Sequence, residues 1–387
     1  MRAWGNGAGA SRGQAARSAG LRTVAGPDAD TRAAHAVGPP AGRLLLRPGP
    51  GRSLMVRRRA LAVATALVAV AAAVGAYTLL TGAYELSAAD ALRVLAGGGS
   101  ELDRFIVLGQ RLPRIVAAAL IGAMLALSGA IFQSLSHNPL GSPDIVGFTT
   151  GATTGGLLVI LVSATSSTAT IALGTTVGGF ATAAVVVMVA LRRGGAGENL
   201  VLAGVALSQT LSALNDYLLS RATIQQAEVA RAWQYGSLNA ITWAQVRPLI
   251  VGAALLIPLS AWMGRPAAVL ELGDDAATSL GLGVGRLRAA MVGYGVVLAA
   301  VCVAVAGPIG FLALAAPQLA QRLARTAGLT LSVSAAMGAA LLVVADLLAQ
   351  RLLAPFQIPV GLLSAACGGL YLMWLLGLRA PGGPGRP

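Results

Sequence analysis

The stretch RLPRIVAAALIGAMLALSGAIFQSLSHNPLGSPDIVGFTTGA, Arg111 to Ala152, carries a membrane hairpin. Its first arm, Ile115 to Phe132, has no charged residue. As a helix it is long enough to cross about 30 Å of hydrocarbon. Ala118, Gly122, Ala126 and Ala130 form one small-residue face. Such a face lets a second backbone approach closely, which is how helices associate in lipid, where apolar burial gives no advantage. Beyond Gln133 the helix is expected to end at Asn138-Pro139, because proline disfavours helical geometry in the residue before it. A second helix is expected to start at once: Ser142 can cap, Pro143 suits the first position, and Asp144 complements the positive helix end. Gly147, Gly151 and Gly155 repeat the close-packing spacing on that arm.

Composition sets the class independently. The chain of 387 residues is 56% hydrophobic and 11% charged, with mean hydropathy +0.74. Globular domains carry roughly a quarter charged residues, so this is an all-α polytopic membrane protein. All 28 basic residues are Arg. The absence of lysine excludes a lysine-bearing phosphate loop and a Schiff-base lysine, so an ATP-driven step requires another chain. His35 and His137 lie far apart, which argues against a histidine metal site. Cys302 and Cys367 sit in apolar runs and read as small buried hydrophobes rather than a disulfide. The net charge of +14 is weighted to one end, with eleven arginines in the first 59 residues. Arginine beside a first span marks the cytoplasmic side more often than a nucleic-acid site.

Residues 1–56 are rich in Arg, Gly, Ala and Pro without apolar period and read as a disordered tail. Met55, followed by Arg57-Arg58-Arg59 and an apolar run, is an expected translation start, and the run an uncleaved signal-anchor. Expected spans are 60–80, 113–133, 144–163, 170–191, 200–220, 245–263, 288–306, 308–321, 331–350 and 358–378 within a membrane domain at 57–380, with a short tail at 381–387. With the N-terminus inside, twelve arginines fall on inner segments and eight on outer ones, tail excluded. That bias favours cytoplasmic N- and C-termini.

The opening stretch resembles the permease subunits of FecCD-type ABC importers, which take up iron(III)-siderophores, haem or vitamin B12. The residues that carry the resemblance are Arg-Leu-Pro-Arg at 111–114, Leu-Ser-Gly-Ala at 127–130, Gln133, Asn138-Pro139-Leu140, Pro143-Asp144 and Gly147. Four further segments follow in family order. Leu270 to Arg288, LELGDDAATSLGLGVGRLR, is similar to the coupling segment that fits a groove on the ATP-binding subunit, within a cytoplasmic stretch at 264–288. Leu272, Gly273, Asp274, Asp275, Ala276, Leu280 and Gly281 match it. Read physically, Asp274 and Asp275 open a short helix and Gly281 stops it. Trp233 to Trp243 resembles a Trp-x-x-Gly-Ser-Leu segment. Gly307 to Arg322 resembles a Gly-Pro-Ile pattern, with Ala313 in place of Gly, Gln318 of His and Gln321 of Arg. Asp346 to Gly361 resembles a stretch in which Arg follows the Asp by four residues and Glu-x-Pro-x-Gly comes later; here Gln350 and Gln357 stand at those places and Arg351 is adjacent. Leu370 stands where the last helix commonly has proline.

The resemblance implies a ten-helix type II permease subunit, itself no enzyme and without cofactor, in the plasma membrane of a bacterium. It would pair with a second copy or a paralogue. ATP-binding subunits would dock on the coupling segments, and an extracytoplasmic substrate-binding (lipo)protein outside. Arg111, Arg114 and Arg351 would meet acidic residues of that binding protein; membrane-interface anchoring is the other reading of these arginines. The path is expected along the fifth and tenth helices, with Ser208, Gln209, Ser212, Asn215 and Asp216 on the fifth. Asp216 suits either a path lining or a headgroup-level carboxylate. The cargo implied first is an iron(III)-siderophore, with cobalamin or haem as alternatives. An ion-coupled secondary transporter is a more distant reading.

Overall fold

The computed structural model describes residues 43–49, 52–82, 84, 86–162, 167–192, 198–326 and 328–377. The tail expected at 381–387 and the first 42 residues lie outside these. Arg43–Gly49 (β1) and Arg52–Arg57 (β2) pair as a two-stranded sheet. This departs from the structureless stretch expected through residue 56: short Leu- and Val-bearing runs around Pro-Gly are a hairpin pattern.

From Arg58 onward the described chain is helical. The elements are α1 (Arg58–Leu80), α2 (Ala88–Leu95), α3 (Glu101–Ser136), α4 (Phe148–Val162), α5 (Thr168–Arg192), α6 (Glu198–Ser220), α7 (Ile224–Gln234), α8 (Trp243–Leu270), α9 (Asp274–Ser279), α10 (Val284–Ala306), α11 (Leu312–Ala324), α12 (Leu331–Arg351) and α13 (Val360–Gly377). Six of them, α1, α3, α5, α8, α10 and α12, are long and apolar enough to cross a membrane unaided. With α4, α6, α11 and α13 they account for the ten expected segments.

α3 is the hub. It opens with one α-helical turn, Glu101–Arg104, passes through a π-helical stretch, Phe105–Arg111, and continues as α-helix from Leu112. Ala117, Ile121, Met124, Ala126 and Leu127 on it are essentially inaccessible. The small-residue face does what its spacing implies. A methyl on Gly122 would strike the Gly338 carbonyl, and one on Gly338 would lie 2.5 Å from Ala126 Cβ, so α3 and α12 touch backbone to backbone. At Gly129 the same face meets the Ala313 carbonyl of α11. α4 and α5 cross likewise through Gly151, Gly155, Gly174 and Gly178.

The turn after α3 differs from the expected continuous second arm. α3 stops at Ser136 with His137 in left-handed conformation, and Asn138 closes a turn by accepting from Leu140 N–H at 2.9 Å. Ser142 makes no side-chain cap. Pro143–Val146 is a single 3-10 turn, ended by Gly147 at φ 72°, and α4 proper starts at Phe148. Asp144 accepts the Thr149 hydroxyl on the first turn of α4. Gly147 therefore belongs to the break rather than to the packed face, with Ser208 of α6 only 2.8 Å from where a Cβ would sit.

Side-chain bonds between helix ends fix the topology. Arg59 donates to the Leu323 carbonyl at 3.2 and 3.1 Å, joining the start of α1 to the end of α11. Arg111 donates to the Leu79 carbonyl at 2.7 Å and to that of Tyr84, joining the far end of α1 to the entry of α3. Gln133 donates to the Leu314 carbonyl at 2.9 Å and accepts from Gln318 at 2.8 Å, a buried polar tie between α3 and α11. Gln133→Leu would leave the Gln318 side-chain amide without its acceptor and remove the donor to the Leu314 carbonyl. We expect a cost of about 1–3 kcal/mol, read as a lower unfolding midpoint of the detergent-solubilised protein, with Gln133→Glu no substitute because it lacks the donor.

The two cysteines part company. Cys302 is buried, with its thiol 3.7 Å from the Ile121 carbonyl, whereas Cys367 is exposed on α13. The expectation that both are buried fails because α13 packs only one of its faces within the chain.

Candidate functional site

The segment between α8 and α10 is a short rigid bracket. Gly273, at φ 101°, turns the chain into α9, whose first residues Asp274 and Asp275 face solvent. Gly281, at φ 80°, ends it: Gly281 N–H bonds the Thr278 carbonyl at 2.9 Å and Leu282 N–H the Ala277 carbonyl at 3.1 Å. That pair of bonds is a Schellman closure. Ala277 faces inward at 0% exposure, while Leu272 and Leu280 stand out at 69% and 66%. Ala276 is half-buried. Asp274 pairs with Arg288 at 2.7 Å, bracing α9 against α10. Two bare leucines, one before and one after the short helix, give a segment otherwise polar an exposed apolar side chain at each end of α9.

A second cluster lies at the other end of α3. Arg114 bonds Asp346 of α12 through Nε at 3.0 and 2.9 Å and Nη2 at 2.8 Å, and Gln357 through Nη1 at 3.1 Å. Gln350 donates to Asp346 at 2.8 Å. The pair is buried, Arg114 at 8% and Asp346 at 2% exposure. Arg114 therefore corrects the expectation placed on it. It is buried and turned inward onto Asp346 and Gln357, away from an outside carboxylate, and it locks α3 to α12. Arg351 is exposed and Arg111 half-exposed. Sequence reading missed Asp346 and Gln357 as partners of Arg114 because they lie 232 and 243 residues away. The nearest available signal was a carboxylate inside an apolar run, which requires a counter-charge.

Three motif glycines converge nearby. Ser237 N–H bonds the Ala306 carbonyl at 2.8 Å and Gly361 N–H the Gly236 carbonyl at 3.0 Å. Gly236, at φ 61°, allows no Cβ because the Pro308 carbonyl occupies that place. The segments at 233–243, 307–322 and 346–361 thus form one junction.

The five residues expected along the path separate by helical face. Gln209 and Asp216, seven apart, are exposed, and Ser212 is half-buried beside them. Asn215 is 5% exposed, and Ser208 is turned toward Gly147. Among the described residues, Ser208 Oγ and Asn215 Oδ1 are buried without a hydrogen-bond partner. One helical step of about 100° takes residues 208 and 215 off the open face. Gln209, Ser212 and Asp216 are left for a path.

Distance relates the clusters. Ser134, which bonds Glu271 at the root of α9, and Arg114 lie on one helix twenty residues apart (114 to 134), or about 30 Å along its axis. Arg59 and Leu323 stand at the α9 end, since the loop following α11 also bonds Glu271 through Leu329 N–H. The α9 bracket and the Arg114 cluster therefore occupy opposite ends of the bundle.

A bundle of apolar helices with a rigid bracket at one end and a charged junction at the other defines an integral membrane protein of the permease class. The comparisons agree. The FecCD transport family model matches residues 61–377, and the chain belongs to that family. It is 43% identical to the ferric enterobactin transport system permease protein FepG of Escherichia coli (strain K12), over 75% of this chain and 88% of that one. Identity to the hemin transport system permease protein HmuU of Yersinia pestis is 34%, over 70% and 83%. A solved inward-facing structure of an ABC transporter assigned to the metal-chelate type superposes with TM-score 0.73 at 26% identity, covering 82% of this chain and 99% of that one.

Proposed function

We propose that this chain is the membrane permease subunit of an ATP-driven importer of iron(III)-siderophore complexes. It works with a second copy or paralogue, ATP-binding subunits on the α9 side and an extracytoplasmic binding protein on the other. The observation that carries the reading is the placement of a capped, leucine-tipped bracket and a charged junction at opposite ends of α3. A rigid rod between two docking surfaces can turn a push at one end into a change of access at the other. The sequence has no lysine for a phosphate loop, which supports placing ATP hydrolysis on a partner. The iron(III)-siderophore cargo is supported by the 43% identity to a ferric enterobactin permease, against 34% to a hemin permease. Residues 209, 212 and 216, polar but not a ring of charge, suit a bulky cargo that must not be held tightly. The α9 end is the cytoplasmic one on the arginine bias.

The test is reconstitution in proteoliposomes with the ATP-binding subunit and binding protein. Arg351→Glu is expected to cut stimulation of ATP hydrolysis by the binding protein by about tenfold or more, since like charges across an interface cost several kcal/mol; Arg111 is left in place because it also holds the Leu79 and Tyr84 carbonyls. Unchanged stimulation would remove the docking role from Arg351. Leu280→Asp should release the ATP-binding subunit in a pull-down, because a charge would replace the exposed apolar tip. Uptake of radiolabelled ferric enterobactin by the wild type, and not of hemin, would fix the cargo class.

A further inference from the structure

We propose that Glu271 is the positioning residue that ties the α9 bracket to the rest of the bundle, so that movement of α9 becomes movement of α3. The inference rests on α9 being the contact for the ATP-binding subunit. Glu271 follows the last residue of α8 and precedes the exposed Leu272. Its two carboxylate oxygens go to two different elements. Oε1 accepts the Ser134 hydroxyl at 3.1 Å, in the last turn of α3. Oε2 accepts Leu329 N–H at 3.3 Å, in the connection between α11 and α12. Gly328 makes room for that second bond: it sits at φ 88°, and a Cβ there would lie 2.7 Å from Oε2.

The remaining supports of α9 are one ion pair to its neighbour α10, Asp274–Arg288, and one apolar seat, Ala277 on the core. Glu271 alone among the described acidic residues of 270–288 reaches α3. α3 in turn carries Arg114 and its lock onto α12 at the far end. α8 and α10 also pack on α3, so Glu271 adds a directed polar tie to that packing at the point where the bracket begins, and without it the bracket can shift against the end of α3. Glu271 also accounts for one further polar residue, since it holds Ser134 otherwise than by back-bonding within α3.

Gln at 271 keeps an acceptor for Leu329 N–H and a group that bonds the Ser134 hydroxyl, whereas Ala keeps neither. In the reconstituted importer, Glu271→Ala is expected to retain the ATP-binding subunit in a pull-down while the increment in ATP hydrolysis caused by the binding protein falls about tenfold, the worth of one to two hydrogen bonds. Glu271→Gln should stay within about twofold of wild type, and Ser134→Ala should show about a threefold loss. Ser134→Ala is a mild change in a helix, so it decides the matter if Glu271→Ala does not accumulate in the membrane. A wild-type increment in both Glu271→Ala and Ser134→Ala overturns the proposal, as does Glu271→Gln falling as far as Glu271→Ala. If Leu280→Asp keeps the ATP-binding subunit bound, the reading of α9 fails instead, which separates the two failures.

Discussion

Asp346→Ala is expected to destabilise the folded bundle by about 3–5 kcal/mol, because it leaves a guanidinium buried without its counter-charge. Arg114 is 8% exposed and gives three of its four bonds to Asp346. What remains after the substitution is Gln357, a neutral acceptor at 3.1 Å. The measurement is the fraction of monodisperse protein surviving a temperature series in detergent. Arg114→Leu should cost a similar amount by stranding the carboxylate. The double variant Arg114→Leu/Asp346→Leu should recover much of the loss, since apolar groups of similar volume can replace a buried pair at little cost. The coupling between the two sites is then read from the double-mutant cycle. Full stability in Asp346→Ala would mean that Arg114 reaches water, contrary to its burial.

The same pair bears on the two glutamines that depart from the family pattern. Gln350 donates to Asp346 and Gln357 accepts from Arg114, so both sit on the ion pair itself. An Arg at 350 and a Glu at 357 would add one charge of each sign. Their joint replacement leaves the net charge of the cluster unchanged, which a charge change at only one of the two positions would not do.

The ten apolar segments were legible because each is a run of one chemistry, and lipid demands continuous helix from any segment that crosses it. Breaks within runs were less so. Pro143 signals a helix start, yet the chain needs a 3-10 turn and Gly147 at φ 72° before α4 can begin. Two polar helices outside the runs were missed, although both carry readable caps. Ser87 accepts from Asp90 N–H at the head of α2, and Thr223 with Gln226 forms a capping box at the head of α7. Of the candidate site, the local parts were in the sequence: Asp274 and Asp275 at the head of α9 and Gly281 that stops it. The partners of Arg114 and Glu271 were not. A bond across 232 residues leaves no periodicity, and only the fold says that Arg114 meets a buried carboxylate while Arg111 meets backbone carbonyls. Reading docking into both arginines of Arg-Leu-Pro-Arg treated as equivalent two residues three apart, of which one points along the helix end and the other into the bundle.

Gly338→Val should be strongly damaging, through a contact separate from that ion pair. In lipid the helices are held by contact rather than by exclusion of water, so lost proximity is not compensated by apolar burial elsewhere. A Cβ at 338 would meet the Gly122 carbonyl and lie 2.5 Å from Ala126 Cβ. Backbone atoms of a helix cannot rotate aside as a side chain does. α3 and α12 would therefore have to separate, and with them the Arg114–Asp346 lock between the same two helices. Overpacking typically costs about 1–3 kcal/mol, and loosening the ion pair adds to it. Gly338→Ala is expected to lower the yield of monodisperse protein and Gly338→Val to abolish it. Gly293→Ala is the control: nothing stands within 4 Å of a Cβ there, and alanine at an open helical site gains up to about 1 kcal/mol of propensity. Equal tolerance of Gly338→Val and Gly293→Ala would show that α3 and α12 are not in backbone contact, and the rod joining the two ends of the protein would lose its support.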